Sequence, residues 1–301
     1  MKLNNKPLVA DMSLLFVAFL WGGGFIATSY ALDSITPNYI NFIRFLIAFI
    51  GISVIFRKKY KLIDKNTLKA GIIIGVFLYG GFLLQTVGLQ YTTAGKQAFL
   101  TGTNVVMVPF LYWLVKNKRP DKYNIIAAVI AVVGIGFLSL NENLTINFGD
   151  ALTLACAVFF AAQITAVGFF AQKHDPLALT IVQFGTVTVF SLISSLIFEP
   201  FPTFTTTSTV GIIYLAIFST LICFAIQNVA QKYTSPEHTA IILCLEAVFG
   251  SVLSCLILGE AFTFKMIIGC IAIFFAIITA ETRLEFIKKL FKPKDSSKEA
   301  I

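Results

Sequence analysis

The chain has 301 residues, 57% of them hydrophobic and only 13% charged, with a mean hydropathy of +0.85. Soluble domains carry about 25% charged residues, so this composition excludes a soluble core. A net charge of +8 does not indicate nucleic acid, because the basic residues flank apolar runs instead of lining one face, where they act as topology signals.

Hydropathy divides the chain into ten spans, at roughly 10–32, 36–56, 68–89, 94–115, 123–140, 150–171, 177–198, 210–230, 237–258 and 265–282. The expected fold is an all-α integral membrane protein of ten transmembrane helices. The opening MKLNNKPLVADMSLLFVAFLWGGGF has a basic start, but its apolar run is too long for a signal-peptide core, so it reads as the first span. Within it, Trp21-Gly22-Gly23-Gly24 permits close helix approach or a bend, and Trp21 either packs in the core or stacks on a planar substrate. The second span carries Arg44, which either binds an anion or ties helices together by donating to carbonyls. The third brings Gln85, an amide that serves equally as interhelical glue or as a substrate contact.

The fourth span holds Lys96 near its outer end, either to receive a substrate carboxylate or to snorkel to headgroups. It also holds Asn104 at mid-depth, Pro109 as a source of a kink beside Gly102-Thr103-Asn104, and Trp113 as an interfacial anchor. Gln163, Gln183, Gln227 and Asn228 add amides in the sixth to eighth spans, and His238 stands at the inner end of the ninth. The five cysteines lie inside apolar spans without a C-x-x-C pattern and read as buried thiols. With only His174 and His238, far apart and outside any H-E-x-x-H, no metal site is expected. No phosphate-binding loop appears either. The chain is therefore not expected to be an enzyme, and no cofactor is expected.

Lys and Arg set the orientation. Arg57, Lys58, Lys59, Lys61, Lys65 and Lys69 follow the second span, and Lys116, Lys118, Arg119 and Lys122 follow the fourth. The tail adds Arg283 and five lysines, whereas the alternate connections hold Asp33, Glu142, Glu199 and Glu260. The positive-inside rule then places both termini in the cytoplasm, in a bacterial plasma membrane. The tail's lysines meet anionic lipid.

The two halves repeat. Phe82–Ala98 aligns without gaps on Phe224–Ala240, sharing F-x-x-Q-x-V-x-x-x-Y-T-T/S, so that Gln227 matches Gln85, His238 matches Lys96 and Glu246 matches Asn104. An earlier, weaker register pairs Asp11 with Asp150 and Pro37 with Pro176. Five spans per half is an odd number, so the second copy enters from the opposite side. Such inverted repeats are the design of secondary transporters with a midplane site between the halves. The expected divisions are a first repeat over 1–145, an inverted second repeat over 146–283, and a basic cytoplasmic tail over 284–301.

Glu246 sits in the middle of the ninth span, roughly 15 Å below Pro236 and so near the bilayer midplane. A carboxylate there is costly unless paired, hydrated or protonated, which makes it a functional candidate by default. Facing Asn104 at similar depth, it either suits an amine, a guanidine or ring N–H donors, or carries a coupling proton, or is a structural carboxyl satisfied by a neighbouring amide or hydroxyl.

The segments FLWGGGFIATSYAL…ITPNYINFIRFLIAFI, LQYTTAGKQAFLTGTNVVMVPFL and LEAVFGSVLSCLILGEAFTFKMIIGCIAI resemble the EamA-type family of the drug/metabolite transporter superfamily over nearly the whole chain. The resemblance implies two inverted five-helix repeats and a secondary carrier of small organic metabolites, with export as the family analogy. Glu246 and Asn104 argue against a phosphate substrate, since the sugar-phosphate relatives use basic central sites. The expected function is a non-ATP carrier of amino acids or related zwitterions working by alternating access around Glu246. Nucleobase-like or cationic nitrogen compounds are the alternative substrates, and a channel or a non-transporting membrane scaffold is the alternative class. Candidate substrate-binding residues are Glu246, Asn104, Gln85, Gln227, Trp21, Lys96, Arg44 and His238. Expected partners are a small-molecule substrate, membrane lipid and a coupling proton, with no nucleic acid; the sequence does not give the oligomeric state.

Overall fold

The computed structural model describes residues 6–116, 119–139, 146–234 and 236–282. Every regular element among the described residues is helical. The helices are α1 (Lys6–Leu32), α2 (Pro37–Ile55), α3 (Lys65–Leu89), α4 (Ala94–Gly102), α5 (Asn104–Lys116), α6 (Lys122–Ser139), α7 (Phe148–Phe170), α8 (Pro176–Phe198), α9 (Thr206–Tyr214), α10 (Cys223–Ala230), α11 (Pro236–Leu253) and α12 (Phe264–Thr282). A 3-10 turn, Arg57–Leu62, follows α2. Among the described residues, seven segments are long and apolar enough to cross a membrane, and three shorter apolar stretches lie at Lys122–Phe137, Leu245–Leu258 and Phe264–Ala276. Large apolar side chains such as Val54, Leu196 and Phe198 point outward. That outward apolar surface suits lipid, in which a helix satisfies its own backbone.

Helix starts follow from their caps. Pro37 and Pro176 occupy the first turns of α2 and α8, where a missing N–H costs nothing. Asp64, Asn147 and Asp175 accept from the first N–H groups of α3, α7 and α8. Two other starts are capped from a distance. Glu199, just after α8, accepts from the N–H groups of Asn38 and Tyr39 at 2.9–3.1 Å. Glu260 accepts from those of Ala94 and Gly95 at 2.8 and 2.9 Å. A carboxylate on orphan amides at the positive end of a helix dipole satisfies both groups at once and ties two distant segments together.

Packing brings α1 against α11 and α9–α10, α3 against α7 and α8, α2 against α8, α4 against α11 and α7, and α6 against α12. Gly22 explains part of the α1–α11 approach: a Cβ there would stand 2.6 Å from Phe249 Cβ and 2.8 Å from the Gly250 nitrogen. Small residues let membrane helices approach closely where the hydrophobic effect gives no driving force.

Three elements depart from simple spans. The fourth is not one helix: it breaks at Thr103 between α4 and α5, where the Thr103 N–H turns back to Leu100 O at 3.2 Å. The break lies several residues before Pro109, inside α5, so proline is not its site. The eighth runs through a π-helical stretch, Leu215–Ile222, between α9 and α10. The ninth ends in a π-helical turn, Ser254–Leu258, closed by Gly259 at φ 68°, a left-handed position that favours glycine. Trp113 is partly exposed, as an interfacial anchor would be. The expected tail at 284–301 and the side chain of His238 lie outside the described residues.

Candidate functional site

A central cavity of about 580 Å³, including its mouth, lies between α1, α2, α3, the α4–α5 break, α7, the π-helical stretch with α10, and α11. Six of the eight residues singled out in the sequence line it: Glu246, Asn104, Gln85, Gln227, Trp21 and Arg44. Asn104 opens α5 immediately after the break, so the interruption in the fourth span puts its amide on the cavity wall. Glu246 reaches the same cavity from α11.

The two ionisable groups of the cavity, a base and an acid, are buried and separate. Arg44 is 2% exposed and Glu246 7% exposed. Ion pairs join Lys59 to Asp175 and Lys96 to Asp150, but none joins Arg44 to Glu246. The Arg44 guanidinium donates from Nε to Thr220 Oγ1 at 2.8 Å and from Nη2 to Ser219 Oγ at 3.2 Å. Its carbon also lies 4.3 Å from the Phe82 ring centre, within cation–π range.

The amides divide by role. The Gln85 side chain donates weakly to Thr101 Oγ1 at 3.3 Å, while the main-chain carbonyl of Gln85 receives Gln97 Nε2 at 2.8 Å. Gln227 donates to Gln231 Oε1 at 3.2 Å and lies 3.4 Å from Gln163 Oε1, and Gln163 lines the cavity as well. Asn228 and Gln183 instead bond each other at 2.8 Å and are buried helix glue. Trp21 lines the cavity with its indole N–H already engaged, donating to the Ser219 carbonyl at 2.8 Å.

Lys96 does not line the cavity. Its ammonium contacts Asp150 at 2.5 Å, and Asp150, wholly buried, also accepts from Thr92 Oγ1 at 2.6 Å. The ion pair joins α4 to the start of α7.

The wall also contains residues the sequence reading passed over: Phe25, Phe82, Phe160 and Phe224 as an aromatic surface, and Thr28, Thr101 and Ser219 as hydroxyls. Phe82 packs edge-on to Phe160 and Phe224, at 5.3 and 5.8 Å between ring centres. The signal for two of these was present, since Phe82 and Phe224 head the repeated F-x-x-Q motif. A hydroxyl in an apolar helix carries no comparable mark.

A lipid-facing helical bundle around a charged, partly enclosed cavity is the build of a membrane transporter. The EamA-like transporter family matches the chain twice, over residues 8–140 and 147–281, and the chain belongs to that family. An uncharacterized transporter of Archaeoglobus fulgidus is 36% identical over 286 residues, covering 93% of this chain and 88% of the relative. The uncharacterized transporter YetK of Bacillus subtilis is 26% identical, covering 89% and 85%. A solved crystal structure superposes with a TM-score of 0.70 at 16% identity, covering 94% of this chain and 99% of that one, which is a likeness of fold alone. The general role of the chain is transport.

Proposed function

We propose that the protein is a secondary, non-ATP carrier of amino acids or related zwitterions, working by alternating access around the cavity that holds Glu246. One observation carries the reading: a basic and an acidic side chain, Arg44 and Glu246, line one cavity without a salt bridge between them. A zwitterion brings each charge its partner, carboxylate to Arg44 and ammonium to Glu246, with Asn104, Gln85 and Gln227 available as neutral contacts. Charge-assisted hydrogen bonds contribute about 1.5–3 kcal/mol each. The occupied site is then net neutral, which lowers the cost of carrying buried charges through the membrane interior. The Phe82, Phe160 and Phe224 surface leaves room for an apolar side chain.

In this proposal ten spans form two inverted five-helix repeats, residues 1–145 and 146–283, with the basic tail and both termini in the cytoplasm of a plasma membrane. Two successive family matches support the division. The helix contacts support it too, because they come in exchangeable sets. The α3–α7 contact has its counterpart in α1 with α9–α10, the α3–α8 contact in α2 with the π-helical stretch, and the α4–α7 contact in α1–α11. Pairs α2–α8, α4–α11 and α6–α12 map onto themselves. Exchange of conformation between two such copies is what alternating access requires. Export remains the direction that family analogy favours, and the Glu246 carboxyl is the seat of any coupling proton.

A second reading, a carrier of cationic nitrogen compounds, is favoured by the engagement of Arg44 with Ser219, Thr220 and Phe82, which leaves Glu246 as the more open charge. Counterflow in proteoliposomes without ATP separates the two, using the twenty protein amino acids and their decarboxylated amines. Saturable amino-acid exchange supports the zwitterion carrier. Amine exchange alone supports the cation carrier, and no saturable flux of either overturns both.

A further inference from the structure

Ser219 and Thr220 lie side by side in the π-helical stretch Leu215–Ile222, and both hydroxyls point at Arg44. In an α-helix consecutive side chains diverge by about 100°. The wider π-turn, which recurs at functional sites, is where this chain brings two neighbouring hydroxyls to one guanidinium. Their choice of atoms matters. Thr220 takes Nε and Ser219 takes Nη2, the two nitrogens along one edge of the guanidinium fork. No described residue accepts from Nη1, and Arg44 lines the cavity. The terminal edge, Nη1 with the second Nη2 hydrogen, is thereby left for a ligand, and a planar terminal edge matches a carboxylate bidentately.

The surroundings fix the same geometry from other sides. Gly24 gives Ser219 its place: a Cβ at residue 24 would stand 2.9 Å from Ser219 Oγ. The Ser219 carbonyl is occupied by the Trp21 indole at 2.8 Å, which holds the π-turn to α1. The Phe82 ring supports the guanidinium plane.

We infer that Ser219 and Thr220 are positioning residues that aim the terminal edge of Arg44 into the cavity, and that they thereby set the carrier's preference for a substrate carboxylate. The inference rests on the zwitterion reading of the cavity and adds the device that gives it selectivity. Neither hydroxyl is required to touch the substrate.

The test compares L-leucine with 3-methylbutylamine, which differ by the carboxylate alone, in equilibrium binding to the purified full chain. If L-leucine is too weak to measure, the tightest-binding of the twenty protein amino acids and its own decarboxylated amine take their place. Thr220→Val removes the hydroxyl while keeping the branched shape, and should weaken the amino acid about 10-fold with the amine unchanged. Thr220→Ser should restore wild-type discrimination. Ser219→Ala, a smaller change, should act in the same direction and stands in if the valine variant does not fold. Equal weakening of both ligands, no change in either, or failure of Thr220→Ser to restore the ratio would overturn the inference. If wild type binds none of the twenty amino acids, the zwitterion reading itself falls; if it binds them and the variants do not discriminate, the inference falls alone.

Discussion

Arg44 and Glu246, a base and an acid, face one cavity from α2 and α11, both buried and not joined by a salt bridge. Asp150, by contrast, is a buried carboxylate that has its cation, Lys96, at 2.5 Å. Removing the charge of one or of the other carboxylate should therefore move stability in opposite directions.

Glu246→Gln removes a desolvated charge that no cation neutralises, and it retains the shape of the side chain. The variant should unfold at a temperature equal to or above wild type when both are ligand-free. Scanning fluorimetry in one detergent measures this directly, and a fall of several degrees would mean that the carboxylate holds the fold together.

Asp150→Asn orphans the Lys96 ammonium, which is largely buried. Removing one member of a buried pair costs about 3–5 kcal/mol, and partial access of Lys96 to solvent puts this case toward the lower end. The unfolding temperature should drop by several degrees. Lys96→Met combined with Asp150→Asn should recover part of the loss, because Thr92 still bonds to residue 150 and no charge is left unpaired. A double variant no better than Asp150→Asn would show that the pair contributes nothing specific.

The sequence made the centre of this molecule legible and its latches illegible. Gln85 and Gln227 declared themselves by a repeated motif, and Glu246 and Asn104 by their depth and register. The cavity contains all four. Trp21-Gly22-Gly23-Gly24 permits close helix approach or a bend, and Gly22 against Phe249 is the close approach. Nothing local marked Lys96 as the partner of Asp150, because a residue 54 positions away meets it only through the packing of α4 on α7. Ser219 and Thr220 were hidden for a related reason: their meaning depends on a π-turn, and the apolar periodicity of Leu215–Ile222 does not distinguish that turn from an α-helix. The break at Thr103 was anticipated only as a kink attributed to Pro109.

Close helix approach gives a paired prediction. Gly22→Ala places a methyl against the backbone and Cβ of α11, closer than atoms can stand, and should lower the unfolding temperature and the yield of monodisperse protein. Gly102→Ala would meet only Ala247 Cβ, at 3.4 Å, and should be tolerated. Size-exclusion profiles of the two variants, run side by side, decide it. Equal behaviour would contradict the α1–α11 packing.

Outside the membrane spans, Asp175 couples stability to pH. Partial burial opposes its ionisation, but the hydrogen bond and charge of Lys59, with the N–H groups of Leu177 and Ala178, outweigh this and lower its pKa below the ordinary carboxylate value. A group whose folded pKa is depressed stabilises above the unfolded value, about 3.9, and loses that contribution as pH falls through the folded one. Asp175→Asn, which keeps a helix-capping side chain, should therefore be less stable than wild type at pH 7. The difference should narrow as pH falls from 5 toward 3. A gap that stays constant over that range would remove the ion pair from the account.

The most direct test of the central claim is a ligand panel run on wild type and Glu246→Gln together, reading the rise in unfolding temperature. The panel contains amino acids, their decarboxylated amines, nucleobases and sugar phosphates. A ligand that binds only the folded state stabilises it by mass action. Amino acids should stabilise wild type, and the shift should disappear in Glu246→Gln while the variant remains folded. An amino-acid shift of undiminished size in Glu246→Gln would contradict the claim that this carboxylate receives the substrate.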